Sequence, residues 1–318
     1  MGLAGLDRDR RPGRAVGSGV PEPLFILAAP RSYTSVACAM LGQHPELYGV
    51  PELNLFIAPT MEAMCEQLVG LKQIQLHGLL RTVAHLYSGE QTLASLDLAR
   101  RWIFRRLDAT TADVYRDLCE RVAPLRMVDK SPAYCARRSS LDRVHRAFPG
   151  AHYLHLIRHP RSQGESMMKV AGGAMAVLAD SVDYSTEPPT VDPQVAWYRV
   201  QRNIFRFLAR IPPERQMRLR GEDLLNDPSR HLVEVCRWLG IAETDAAVEA
   251  MLHPEASPFA GLGPLGAHLG NDISFLRSSG MAGGQVPESV LGGPLSWRTD
   301  GKGFARPVVR LARGLGYR

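Results

Sequence analysis

Pro23-Leu24-Phe25-Ile26-Leu27-Ala28-Ala29 runs without a break into Pro30-Arg31-Ser32-Tyr33-Thr34-Ser35. The first half is an uninterrupted apolar run of strand length, the pattern of a strand covered on both faces. The second half puts hydroxyl residues where a helix would begin, so free backbone N–H groups and the positive end of the helix dipole converge on the turn and favour an anion there. Arg31 adds a fixed charge with a planar fork of donors. The G-x-x-x-x-G-K-[ST] spacing of a triphosphate loop occurs nowhere in the chain, and the short interval here suits a smaller terminal phosphate. An ordinary helix cap by Thr34 or Ser35 satisfies the same residues and stands as the alternative.

The 318 residues carry 38 Lys and Arg against 32 Asp and Glu, a formal net charge of +6. That excess favours an anionic ligand, but the basic residues are scattered rather than gathered into an arm, which argues against dedicated nucleic-acid binding. The length accommodates one large α/β domain at 23–318 behind a loose tail at 1–22. Five cysteines without a C-x-x-C pair fit neither a zinc site nor a disulfide framework, so the expectation is no metal and a reducing, cytoplasmic compartment. The Arg-, Gly- and Pro-rich start has no apolar signal core, and no stretch reaches the length of a membrane span.

Further along, the pattern predicts a short helix at 35–43, a strand and loop through His44 to Glu52, and a helical insertion at 60–123. Within it, residues 60–87 carry apolar residues at helical spacing, at Met61, Met64, Leu68, Leu71, Ile74, Leu79, Val83 and Leu86. Strands follow at 126–128, 151–157 and 217–220, each alternating with helical patterns, which argues a parallel sheet covered by helices on both faces. Residues 180–193 read as a loop, and 254–303 as a long Gly- and Pro-rich surface segment that can order over a ligand.

Ligands of such sheets collect beyond the carboxyl ends of the strands. Three clusters fall at such ends: the turn at Arg31 to Ser35, Lys130, and Arg158 with the following Ser166. A second basic turn behind a second strand can grip a second phosphate, and two grips on one edge point to a nucleotide phosphorylated at both ends. Lys130 also fits a plain pairing with Asp129, and Glu52 a solvated loop acid.

Taken together, Pro30-Arg31-Ser32-Tyr33-Thr34-Ser35, Arg158-His159-Pro160-Arg161 through Ser166, Glu222-Asp223-Leu224-Leu225-Asn226-Asp227-Pro228 and Leu315-Gly316-Tyr317 make the chain resemble the sulfotransferases that use 3′-phosphoadenosine 5′-phosphosulfate (PAPS). The likeness spans residues 23–240 and is similar in spacing to the tyrosylprotein and polyketide-associated members. It implies a P-loop-type fold with Arg31, Ser32, Tyr33, Thr34 and Ser35 around the 5′-phosphosulfate, and Arg158 with Ser166 on the 3′-phosphate. It further implies Glu52 as general base and Lys130 as the lysine that steadies the transferred group, with Arg31 sharing that charge. None of His145, His152, His155 and His159 sits where a histidine base would be expected.

Tyr33 stands where the family turn usually has glycine, and Gly221 where it often has tyrosine. The tail pattern is echoed only loosely by Gly292-Gly293 and Gly301-Lys302-Gly303, while Trp297 is a candidate cover for a ligand. The expected acceptor is a hydroxyl of a small-molecule, polyketide or lipid-like substrate, free or carrier-bound, because the 60–107 stretch is rich in Met and Leu. Two rivals remain at this point: a kinase-like phosphotransferase, which needs a triphosphate loop and magnesium carboxylates, and a catalytically silent nucleotide-binding scaffold.

Overall fold

The computed structural model describes residues 19–281 and 285–318. Most of the expected tail, residues 1–18, lies outside them. The main sheet is built from β1 (Leu24–Leu27), β2 (Leu47–Val50), β3 (Arg126–Asp129) and β4 (His152–Ile157). A separate ribbon of β5 (Val182–Asp183) and β6 (Thr190–Val191) precedes the last sheet strand, β7 (Gln216–Arg220). The order is β2-β3-β1-β4-β7, with every pairing parallel.

β1 lies in the middle, paired with β3 on one side and with β4 on the other in a register that sets Leu24 opposite His152 and Leu27 opposite His155. A strand so placed needs apolar side chains at every position, because successive residues enter opposite layers and both are closed. Phe25 and Leu27 join one core with Met127, Tyr153 and Trp197, while Leu24 and Ile26 join the other with Val128, Leu154 and Leu156. Each such side chain contributes about 1.5–3 kcal/mol on leaving water. The fold is α/β, a parallel sheet flanked by helices, as the alternating pattern predicts.

The insertion is helical but not as one long rod. Residues 60–87 break into Met61–Gln67, a 3₁₀ stretch Gly70–Leu76 and His77–Ser88. The first helix ends at Gln67, Gly70 opens the 3₁₀ stretch at φ 59°, and Leu71 and Ile74 within that stretch are exposed rather than buried. Helices Leu93–Phe104 and Thr111–Val122 start where Thr92 and Thr110 accept backbone N–H groups, the first as a full capping box with Ser95.

Two loop expectations are corrected. Residues 180–193 contain the β5–β6 ribbon, held where Arg298 pairs with both Asp183 and Asp192. Residues 254–303 are not simply a surface segment, since Phe259, Ala267 and Leu295 are fully buried. Arg81, itself buried, donates to the carbonyls of Gly261 and Leu269 at 2.9 and 3.0 Å and ties this segment to the insertion. Its apolar residues reach the core without a regular period, so hydropathy patterning does not find them.

β3 ends in the buried Asp129, whose carboxylate accepts from Ser131 Oγ at 2.7 Å and from the Tyr134 hydroxyl at 3.0 Å. Burial pushes its carboxyl up to about 7, against those hydrogen bonds, which pull it down. The folded state therefore holds this proton more tightly than the unfolded chain, where an aspartate ionises near ~4. The corresponding stability is complete below that value and is lost as pH rises toward about 7. Asp129→Asn is expected to flatten the fall in melting temperature across this window, a result that thermal melts at a series of pH values would show; an unchanged slope would assign it to other groups.

Candidate active site

Because the sheet is parallel, all of its strands open onto one edge, and the candidate residues arrive there from different strands. β1 delivers the turn at Arg31 to Tyr33, β2 delivers Glu52, β3 Lys130, β4 Arg158, and β7 Gly221 with Glu222.

In the turn, Arg31 and Tyr33 take φ 66° and 61°, left-handed positions that cost non-glycine residues on the order of 1–3 kcal/mol each. Helix Thr34–Leu41 follows with Tyr33 at its N-cap and no side-chain cap, so the plain capping alternative does not hold. Ser35 Oγ instead accepts from Lys130 Nζ at 3.0 Å and from the Asp272 N–H at 2.9 Å. Ser32 is fully buried and its Oγ has no partner. An unpartnered buried hydroxyl costs about 1–3 kcal/mol, which an anion's oxygen would relieve. Thr34 is buried behind it.

The two basic turns meet. Arg31 Nε donates to Ser166 Oγ at 3.0 Å, from helix Pro160–Lys169, which follows β4. Arg158 Nη1 in turn donates to the Arg31 carbonyl at 2.7 Å and Nε to Ser162 Oγ at 3.1 Å. Burial lowers the pKa of the Arg158 guanidinium from the ordinary arginine value, partly offset by Tyr33 and Glu222.

Lys130 is fully buried and reaches Glu52, not Asp129: Nζ lies 3.0 Å from Glu52 Oε1, whose side chain is 32 % exposed. One end of this pair is therefore sealed in protein and the other opens to solvent. Glu52 is fixed by its backbone, its N–H donating to the Gly270 carbonyl at 2.8 Å. Gly78, inside helix His77–Ser88, lies directly against it, so a Cβ there would overlap the Glu52 carbonyl oxygen and come within 2.7 Å of its carbon. Gly78→Ala is expected to displace Glu52 and to destabilise the fold by about 1–3 kcal/mol through overpacking. Thermal melts and turnover measured together check this, and unchanged values in both would remove the constraint.

Sequence reasoning missed Gly78, Gly270, Asp272 and Ser274. A glycine within a helical pattern was the available signal for Gly78; the aperiodic segment around Asp272 offered none. The Asp272 carboxylate pairs with Arg31 Nη1, and Ser274 Oγ accepts from Arg31 Nη2 at 3.2 Å. Beside Ser35, Pro51, Phe259 and Asn271 the segment leaves a cavity of about 10 Å³, room for about one water.

Other expectations resolve structurally. Trp297 packs against Gly164, where an added Cβ would lie 2.5 Å from its ring, and donates to Asp192 at 2.9 Å, so it serves helix packing. His155 is a core residue paired with Gln201 at 2.7 Å, and burial lowers its pKa to about 3. His159 Nδ1 accepts from the Arg161 backbone N–H, while the His159 backbone N–H donates to Glu222 Oε1 at 2.8 Å. Glu222 also accepts from the Tyr317 hydroxyl at 3.0 Å, which brings the C-terminal stretch against the β4 and β7 loops.

Comparison with known proteins bears on the family and the fold. A family model described as the sulfotransferase family matches residues 23–245. The chain is similar to the solved sulfotransferase domain from the curacin biosynthetic pathway, with 27 % identity and a TM-score of 0.70 over 94 % of this chain and 98 % of that one. It shares the fold of the sulfotransferase domain from the Synechococcus PCC 7002 olefin synthase, with 24 % identity and a TM-score of 0.71 over 97 % of this chain and 99 % of the other. No curated protein matches. With a family match that takes in every sheet strand and both basic turns, the chain belongs to the sulfotransferase family.

Proposed function

We propose that this sulfotransferase moves a sulfuryl group from PAPS to a hydroxyl of a small-molecule, polyketide or lipid-like acceptor. The observation that carries the reading is the convergence of the two basic turns, with Arg31 Nε 3.0 Å from Ser166 Oγ and the unpartnered Ser32 hydroxyl beside them. Arg31, Ser32, Thr34 and Ser35 would hold the 5′-phosphosulfate against the uncapped helix start, with Tyr33 beside the nucleotide in the same turn, and Arg158 with Ser166 the 3′-phosphate. The likeness to a domain from a biosynthetic pathway supports a biosynthetic product or carrier-bound intermediate as acceptor.

The donor supplies an activated sulfuryl group whose departing oxygen belongs to a stable phosphate. Glu52 takes the acceptor's hydroxyl proton as the new O–S bond forms and the bridging S–O bond breaks, with the electron pair leaving on the phosphate. Arg31 and Lys130 face the charge that gathers on the sulfuryl oxygens and the leaving group. For Arg31 to serve with its Nη1 and Nη2 donors, Asp272 and Ser274 must release them.

Calorimetry with adenosine 3′,5′-bisphosphate, with and without magnesium, followed by labelled-PAPS transfer to a panel of hydroxyl acceptors, tests the reading. Magnesium-independent binding and acceptor-dependent turnover are expected. Magnesium-dependent ATP binding would favour a phosphotransferase, and bisphosphate binding without turnover on any acceptor would favour a scaffold.

A further inference from the structure

Tyr33 and Gly221, the positions that depart from the sulfotransferase pattern, are in contact. The Tyr33 ring lies along the Gly221 backbone, so that a Cβ at 221 would fall 2.5 Å from Cδ2 and 3.4 Å from Cε2. The face of the same ring carries the Arg158 guanidinium, with its central carbon 4.1 Å from the ring centroid. That separation is well inside the range over which an arginine is held by an aromatic face.

The backbone supports a dedicated use for this ring. Tyr33 takes φ 61° and ψ 15°, a conformation that glycine would adopt without cost. A bulky residue persists there only when its surroundings hold it, and the ring is wedged between Gly221 at its edge and Arg158 on its face. Arg158 spends Nε on Ser162 and Nη1 on the Arg31 carbonyl; among the described residues Nη2 donates to no protein acceptor. The three contacts fix the plane of the guanidinium and leave one side of the fork to meet an anion.

We propose that Tyr33 is a positioning residue that orients Arg158 for a phosphate, and that Gly221 is the partner that makes room for its ring. The inference rests on the assignment of Arg158 to the 3′-phosphate and adds the group that aims it. It places Tyr33 beside the nucleotide's 3′ side, although the residue belongs to the turn that receives the 5′ end. Substitutions at 221 act through Tyr33.

Binding of adenosine 3′,5′-bisphosphate and of adenosine 5′-monophosphate to the full chain, by calorimetry, tests this on wild type, Tyr33→Phe, Tyr33→Gly, Gly221→Ala and the double variant Tyr33→Gly/Gly221→Ala. Tyr33→Gly is compatible with the left-handed backbone, and its relief there offsets part of the ring packing that is lost, so binding is compared at a temperature where melts show every variant to be folded. It is expected to weaken the bisphosphate by about tenfold and the monophosphate by less than about twofold, while Tyr33→Phe restores the bisphosphate affinity. Gly221→Ala is expected to weaken the bisphosphate alone and to add nothing in the Tyr33→Gly background. Equal losses for both nucleotides, failure of Tyr33→Phe to restore binding, or additive effects at 33 and 221 would overturn the positioning role. A wild type that binds both nucleotides equally would overturn the phosphate assignment of Arg158 as well.

Discussion

Glu52→Gln is expected to lower kcat for sulfuryl transfer by about 10²- to 10⁴-fold, while the dissociation constant for adenosine 3′,5′-bisphosphate changes by less than about threefold. The substitution keeps the volume and the Oε1 acceptor that lies 3.0 Å from Lys130 Nζ, and the backbone bond to Gly270 is untouched. What disappears is a group able to take the acceptor's proton. Steady-state kinetics against a responsive acceptor, read beside calorimetry, separate the two quantities. Full turnover in this variant would remove Glu52 from the chemistry, and a parallel loss of nucleotide affinity would make it a binding residue.

Lys130→Met is expected to cost a further large factor, about 10²–10³ in kcat, by removing a cation aimed at the developing charge. Stability is expected to fall as well, because replacing a whole buried ion pair is often neutral whereas removing one partner leaves the other unpaired; here the Glu52 carboxylate, 32 % exposed, and the buried Ser35 Oγ both lose the ammonium. The rate is therefore read at a temperature where melts show the variant to be folded. A collapsed rate in folded protein is the expected signature, and a full rate there would leave Lys130 no part in transfer.

The sheet was legible chiefly through β1 and β4, short runs closed by turn residues, of which the middle strand β1, covered on both faces, is wholly apolar, while β3 and β7 carry arginines and were read from their alternation with helical patterns. The two basic turns were legible as turns because their residues are local: Arg31 to Ser35 closely follow β1, Arg158 directly follows β4, and Ser166 sits on the helix behind it. Where distant segments set the outcome, the sequence carried little. The first helix of the insertion ends at Gln67 although the apolar spacing continues past it, and Asp272 reaches Arg31 from a stretch with no period at all. Gly78 needs to be small because another backbone touches it, a fact that belongs to the tertiary structure. The exchange at Tyr33 and Gly221 was visible as two separate irregularities; only their contact turns them into one feature.

The sealed Lys130 and the solvent-facing Glu52, 3.0 Å apart, carry a consequence for timing. Under the roles proposed here, each half neutralises the other while the enzyme waits, so the ammonium's field is muted. A proton arriving on the carboxylate cancels that screening at once, and the cation's pull is released toward the departing phosphate in the same instant. Nucleophile activation and leaving-group departure would then be geared together through a single contact, with neither able to run far ahead of its counterpart.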